Sequence, residues 1–220
     1  MPDRSGVPSS RHGLVWVALL ASTTVACAPV FSDLQSAKLV DKGRVELTPG
    51  ASYVKTSCDP DDDCGHIQDH FGAQLGVGLH EAVELRARYE HVMVVEDGPS
   101  VEVVGIGPKL RLVEDHLALY VPIGRAFGGG EDADLGDSWQ VHPTLLGTAP
   151  VHRNVEVNAS AKYLIPLNDD GGDNLVAFNL GLGLGQLDTW VIRPEVGVMF
   201  DPGDEGRFYH FSLGVSFRPK

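Results

Sequence analysis

Basic residues, methionine and cysteine are scarce in this sequence. Only 17 Lys and Arg stand against 30 Asp and Glu, and the formal net charge of −13 argues against a nucleic-acid partner, because phosphate binding needs a basic surface. The three methionines and the lack of a convincing amphipathic helix disfavour a helical protein, whereas 26 glycines suit strands and turns. No phosphate loop, nucleophile motif or zinc-ligand spacing occurs, so we predict no catalysis, no cofactor and no metal site.

Long apolar runs are also missing. Residues 13–27, GLVWVALLASTTVAC, are too short to cross a bilayer as a helix, which takes about 20 apolar residues. Arg4 and Arg11 precede them as a positive region, and small residues end them. This pattern predicts a secretory signal peptide over residues 1–26. Its removal would leave a mature chain near −14, because Asp3, Arg4 and Arg11 together carry +1.

The end of the apolar stretch, TVAC, resembles the lipobox of bacterial lipoproteins, with Thr24 where that box usually carries Leu. The resemblance implies that Cys27 is lipidated and becomes the new N-terminus. Ordinary cleavage near Ala26 is the alternative. The other two cysteines, Cys58 and Cys64, flank a short acidic loop, and an exported protein meets an oxidising compartment, so we predict a disulfide between them. Two free thiols are the alternative.

The rest of the chain alternates between apolar and polar residues with period 2, as β-strands do. Residues 27–42 have weak periodicity and are predicted to be an N-terminal tether, and residues 43–220 to be one all-β domain. About ten strands are expected, over residues 43–56, 66–79, 83–95, 100–113, 116–127, 137–148, 154–166, 174–186, 189–200 and 207–217. Short connections alternate with mostly longer ones that are rich in Asp and Gly.

This arrangement resembles the bacterial outer-membrane β-barrels, with even numbers of antiparallel strands, short periplasmic turns, longer external loops, an apolar exterior and a polar lumen. The resemblance covers residues 43–217 and implies a closed antiparallel up-and-down transmembrane β-barrel of about ten strands, within a range of eight to twelve. It implies a monomer in the outer membrane of a Gram-negative envelope, in contact with lipid and assembled by the barrel-assembly machinery. Both chain ends should face the periplasm. Phe217 supplies the usual terminal aromatic, although three residues follow it.

A soluble barrel would also alternate, with its apolar face inside, and the stretch VELRARYEH at 83–91 separates the two possibilities. A turn centred on Glu81 places Arg86 opposite Gly76. A tight turn at Asp97-Gly98 places Arg88 opposite Gly107 and Glu84 opposite Arg111. Glycines beside charged side chains fit a narrow lumen, in which long side chains lie across neighbours without them.

The inward charges are predicted to form a paired network in the lumen, because unpaired burial would cost several kcal/mol each. The predicted members are Glu84, Arg86, Arg88, Glu90, Lys109, Arg111, Glu156, Lys162, Arg193 and Glu195. Paired charges close a pore more readily than they conduct, which favours a plugged barrel with acidic surface loops and a structural or surface-interaction role.

Three alternatives stay open from the sequence. One is a narrow channel for small solutes or ions, and another is a lipid-anchored soluble β-barrel that binds a small apolar ligand. The third is an outer-membrane protease of the omptin type, for which Asp69 and His70 are the nearest match. Because they are adjacent, they should point to opposite faces of a strand. Prolines inside the predicted strands, which cannot donate to a ladder, complicate the strand count: Pro108, Pro122, Pro143 and Pro194.

Overall fold

A computed structural model of the chain describes residues 30–57, 65–95, 100–128, 138–168, 174–203 and 206–219. Its strands are β1 (Val45–Thr56), β2 (His66–His80), β3 (Val83–Val94), β4 (Val101–Val113), β5 (Leu117–Tyr120), β6 (Ile123–Gly128), β7 (Ser138–Val141), β8 (Thr144–His152), β9 (Val155–Pro166), β10 (Leu175–Gln186), β11 (Trp190–Phe200) and β12 (Arg207–Phe217). Within these ranges no helix has the length and apolarity to cross a membrane.

The strands close into one antiparallel barrel of ten strand positions, as predicted. β5 and β6 are two halves of one interrupted strand, since both pair with β4, and β7 and β8 are two halves of the next, since both pair with β9. The remaining neighbours follow chain order, and β12 returns to pair with β1. Every pairing between strands is antiparallel. Because β12 pairs with β1, the described sheet closes on itself and has no free edge.

Two of the four prolines that fall inside predicted strands explain why two strands of the barrel are interrupted. Pro122 lies in the break between β5 and β6, and Pro143 in the break between β7 and β8. Their carbonyls still accept hydrogen bonds from the neighbouring strand: the His142 amide donates to Pro122, and the Tyr163 amide to Pro143, each at 3.0 Å. Pro108 and Pro194 lie within β4 and β11. The prolines therefore shorten individual strands without opening the barrel.

The two ends of the barrel differ in their connections. At one end, here called the long-loop end, the strands are joined by residues 57–65, 95–100, 129–137, 167–174 and 201–206. At the other, the short-turn end, they are joined by residues 81–82, 114–116, 153–154 and 187–189. The predicted alternation of short and longer connections is confirmed. Most of the acidic loop residues lie outside the described ranges, as do Cys58 and Cys64, so the disulfide stays a prediction.

Residues 30–40, here called the lumen segment, run through the inside of the barrel. All are buried except Lys38, which is half-buried. Phe31 packs against residues near the long-loop end, including Val54 and Met199, whereas Ala37 and Leu39 pack against Ala118 and Leu146 farther along. The segment was expected only to be part of a tether, and no periodic pattern indicated its path. The signal peptide and Cys27 lie outside the described residues and stay predictions.

The chain leaves the lumen at the short-turn end and turns into β1. The Gly43 amide donates to the Gly78 carbonyl at 2.8 Å, and Lys42 forms a parallel bridge with the same residue. At the other terminus the Arg218 amide donates to Thr189 in a short turn at 2.7 Å. The first described residue, Val30, lies among strand residues near the long-loop end, whereas the N-terminus itself lies outside the described residues, so the expectation that both chain ends face the periplasm stays a prediction.

Strand registers agree with the sequence-based predictions in part. Gly76 lies opposite Arg86, as predicted. Between β3 and β4 the prediction is wrong by two residues: Gly107 lies opposite Arg86, and Glu84 lies opposite Lys109 and not Arg111. The register was counted from an assumed tight turn at Asp97-Gly98, which lies outside the described residues, whereas the structure pairs Val92 with Val101.

Candidate functional site: the charged lumen

The barrel carries its apolar side chains outside and its charged ones inside. In β3, Glu84, Arg86, Arg88 and Glu90 are buried, whereas Tyr89 between them is 47% exposed. The same alternation recurs in β10 and β12, where Leu180 and Phe211 are more than half exposed. A soluble barrel has the reverse arrangement. The exterior is therefore a surface for lipid and the lumen is the place where polar chemistry is concentrated.

Aromatic side chains frame this apolar exterior. Trp139 lies near the start of β7, at the long-loop end, and Trp190 begins β11, at the short-turn end; both are more than a third exposed. Rings at these two levels match the aromatic girdles of transmembrane barrels, where an amphipathic ring meets the headgroups.

One charge cluster surrounds Arg86 near the short-turn end. Arg86 Nε donates to Glu84 Oε1 at 2.7 Å, and its Nη2 donates to Glu46 Oε1 at 2.6 Å. The second oxygen of Glu46 accepts from Arg218 Nε at 2.7 Å. Two carboxylates thus satisfy one fully buried guanidinium, which is the condition under which buried charge is tolerated.

A second cluster joins Arg193 and Glu156 to the lumen segment. Arg193 Nη1 donates to Glu156 Oε1 at 3.1 Å, and Lys38 Nζ lies 3.1 Å from Glu156 Oε2. Arg193 Nε also donates to the Ser216 hydroxyl at 2.8 Å. Glu156 is 1% exposed, so both basic groups neutralise a carboxylate that has almost no water around it.

The third cluster is centred on Asp33 of the lumen segment. Its Oδ1 lies 3.0 Å from Lys162 Nζ, and its Oδ2 accepts from Asn179 Nδ2 at 2.7 Å and from Ser160 Oγ at 2.5 Å. Three residues of the barrel wall therefore bind one carboxylate. The arrangement is that of an anion site whose occupant belongs to the same chain.

The wall also binds the backbone of the lumen segment. Lys162 Nζ donates to the Val30 carbonyl at 2.9 Å, and Arg88 Nη2 donates to the Ser32 carbonyl at 2.8 Å. Glu195 accepts from the backbone amides of Asp33 at 2.8 Å and Leu34 at 3.0 Å.

Farther along the segment, three more wall residues contact its backbone. Thr148 Oγ1 accepts from the Ala37 amide at 2.7 Å, and Glu84 Oε2 accepts from the Val40 amide at 2.9 Å. Lys109 Nζ donates to the Lys38 carbonyl at 2.9 Å. These bonds satisfy polar groups that would otherwise be buried without partners.

Nine of the ten predicted lumen charges are buried in the lumen. They are Glu84, Arg86, Arg88, Glu90, Lys109, Glu156, Lys162, Arg193 and Glu195. Arg111 is the exception: its side chain is 28% exposed near the short-turn end and pairs with the exposed Glu114 at 3.5 Å. Most of these charges belong to the three clusters that the lumen segment connects, whereas Glu90 pairs with Arg88 and His70, and Glu195 binds backbone amides of the lumen segment.

Sequence reasoning missed Glu46, Asp33, Lys38 and Arg218. Glu46 had a usable signal, since it alternates with Val45 and Leu47, both of which are exposed in β1. The others had none, because Asp33 and Lys38 lie in a non-periodic segment and Arg218 follows the last strand. Strand periodicity alone could not assign these three residues to the lumen, because they lie outside the strands.

The residues considered for an omptin-like site lie on opposite faces, as expected. Asp69 is half-buried and pairs with His66 at 3.0 Å, whereas His70 is buried in the lumen and contacts Glu90 at 3.1 Å. The two other lumenal histidines have neutral partners: His142 contacts Gln140 at 2.8 Å and His210 contacts Asn179 at 3.0 Å. Within the described part of the chain, no group of His, Cys, Asp and Glu side chains could hold a metal ion.

Cavities of very different size lie along the lumen segment. Two cavities lined by Asp33 and by Leu34 each measure about 10 Å³, which is room for about one water molecule. A much larger space of about 700 Å³ opens at the short-turn end, where Lys38, Asp41 and Arg218 line it. Among the described residues, the larger space is bounded by the last residues of the lumen segment, and the two small cavities lie farther along that segment.

Neither a known protein family nor a curated protein matches this sequence. Solved structures with a similar chain path include Ail, the attachment invasion locus protein of Yersinia pestis, at 14% identity and a TM-score of 0.38, covering 81% of this chain and 99% of that one. The translocator domain of the autotransporter NalP from Neisseria meningitidis has 10% identity and a TM-score of 0.47, covering 94% and 96%. The N-terminal β-barrel domain of Pseudomonas aeruginosa OprF has 12% identity and a TM-score of 0.37, covering 82% and 100%. At these identities and TM-scores, the similarity gives no information about the role of this protein.

The location follows from the barrel itself. The barrel has ten antiparallel strand positions, a charged interior and an apolar exterior framed by aromatic side chains. Such an exterior is not stable in contact with water. Such barrels span the outer membrane, and this protein is an outer-membrane β-barrel.

Proposed function

We propose that this protein is a sealed outer-membrane barrel, closed by its own lumen segment, with a structural or surface-interaction role. The observation that carries the proposal is the burial of residues 30–40 inside the barrel, with wall side chains bound to their backbone and to Asp33. The protein acts as a monomer, since its exterior is suited to lipid contact all round. Its biogenesis uses the barrel-assembly machinery.

The narrow-channel alternative makes a different prediction for the purified protein. A channel requires a continuous water path, whereas the lumen around Asp33 leaves space for about one water molecule. We expect the folded full-length protein to give no steady conductance in planar lipid bilayers. A stable ohmic current from wild-type protein at neutral pH would overturn the sealed-barrel proposal.

The soluble-lipoprotein alternative is tested by fractionation. Replacing Cys27 by Ser removes any lipid anchor, but it leaves the apolar exterior intact, so we expect the variant to stay in the membrane fraction with heat-dependent gel mobility. Release of Cys27→Ser into buffer as a folded protein would contradict an integral barrel.

A further inference from the structure

The direction of the lumen segment has a topological consequence. Val30 packs against Val92, Val101 and Val103, which lie at the ends of β3 and β4 next to the long connection 95–100. Ten residues later the Val40 amide bonds to Glu84, next to the short turn at 81–82. The chain therefore passes from the long-loop end to the short-turn end before β1 begins.

We propose that the lumen segment carries the N-terminus across the membrane inside the barrel, so that the residues before Val30 are displayed on the long-loop face, opposite to the C-terminus. This goes beyond the sealed-barrel function. It rests on the outer-membrane location, and it does not require the lumen to be closed to ions.

Chain length supports this display. Cys27 precedes Val30 by three peptide units, which reach at most about 10 Å. The hydrocarbon core of a bilayer is about 30 Å thick. A mature N-terminus at Cys27 could therefore not return to the short-turn face. If Cys27 is lipidated, its acyl chains would enter the leaflet on the long-loop side.

The hydrogen bonds along the lumen segment indicate that the barrel wall binds it specifically. Wall residues from β3, β8, β9 and β11 bind its backbone at several depths. The Leu34 side chain occupies the space beside Gly50 and Gly214, and a Cβ on Gly50 would overlap it. An incidental tail would have neither a matched donor and acceptor for its backbone nor glycines that make room for it.

The test uses the full chain with an epitope inserted between Ala28 and Pro29. Two matched controls carry the same epitope within the connection 129–137 and after Lys220. Antibody is added to intact cells that have a Gram-negative envelope, and folding is checked by heat-dependent gel mobility. We expect the N-terminal epitope to be labelled as strongly as the long-loop one, and the C-terminal epitope to be labelled only after the cells are permeabilised.

The proposal would be overturned if the N-terminal epitope, like the C-terminal control, were labelled only after the cells are permeabilised. If the insertion prevents folding, Ala28→Cys in a chain with Cys27, Cys58 and Cys64 replaced by Ser provides a smaller probe, and a membrane-impermeant maleimide replaces the antibody. Asp134→Cys and Lys220→Cys in the same background are its controls, with the same two outcomes. A conducting wild-type protein would contradict the sealed barrel, yet it would leave this labelling pattern unchanged.

Discussion

Lys162 Nζ lies 3.0 Å from Asp33 Oδ1, in a pair that joins the barrel wall to the segment inside it. Both side chains are about 2% exposed, so both charges are shielded from bulk water. The pair also connects chain positions that are far apart in sequence. It is one of several contacts that hold the lumen segment in place.

Replacing Asp33 by Ala should loosen the segment. Removing one partner of a buried ion pair costs about 3–5 kcal/mol, because the other charge stays buried. Since each 1.4 kcal/mol is about a factor of ten, the displaced state should become at least about 100-fold more populated. The measurement is the frequency of conducting events in planar bilayers. Glu114→Ala is the control, because Glu114 is 80% exposed. Asp33→Ala protein as silent as wild type would contradict this role for Asp33.

Arg86 should matter more to stability than Arg111, although both were predicted as lumen charges. Arg86 is buried between Glu84 and Glu46, so Arg86→Ala removes the cation that these two buried carboxylates share and should cost about 3–5 kcal/mol, although Glu46 keeps its contact with Arg218. Arg111→Ala removes only a half-buried pair, worth about 0–1 kcal/mol. Urea unfolding of both variants in lipid vesicles gives the two free energies. Equal losses would mean that the Arg86 cluster is not desolvated in the membrane.

Gly107 and Gly105 form a matched pair on β4. A Cβ on Gly107 would overlap the Val121 carbonyl oxygen and the Pro122 backbone, whereas a Cβ on Gly105 would lie 3.6 Å from the Ile123 carbonyl oxygen, an ordinary contact. Gly107→Ala should therefore destabilise the barrel by about 1–3 kcal/mol through overpacking, and Gly105→Ala by much less. Refolding yield and urea midpoint in vesicles measure both. The close approach at Gly107 would be refuted by a Gly107→Ala variant as stable as Gly105→Ala.

Much of this barrel follows from period-2 alternation, but the lumen segment does not. Alternation in β3 assigns Glu84 and Arg86 to the inside because successive side chains point to opposite faces. Register needs one more fact, the length of the connection, which is why the β2–β3 pairing of Gly76 and Arg86 was predicted and the β3–β4 pairing was wrong by two residues.

Asp33 could not be found in this way. Its segment has no regular backbone repeat, and its position depends on partners from β9 and β10 that meet only after the barrel closes. The sequence shows that the lumen charges must be paired. Only the folded barrel shows that part of the pairing comes from the N-terminal residues.

The lipid-facing exterior can be tested with Leu180, which lies in the middle of β10 and is 56% exposed. Arg on the lipid face near the bilayer midplane costs about 2–4 kcal/mol, falling to about 0–1 near the interface. Leu180→Arg should therefore lower the free energy of unfolding in vesicles by the larger amount. Leu167→Arg, at a similarly exposed site just beyond β9, should lower it by the smaller amount. In water an exposed Leu tolerates Arg with little cost, so equal and small effects at both sites would contradict the transmembrane assignment of β10.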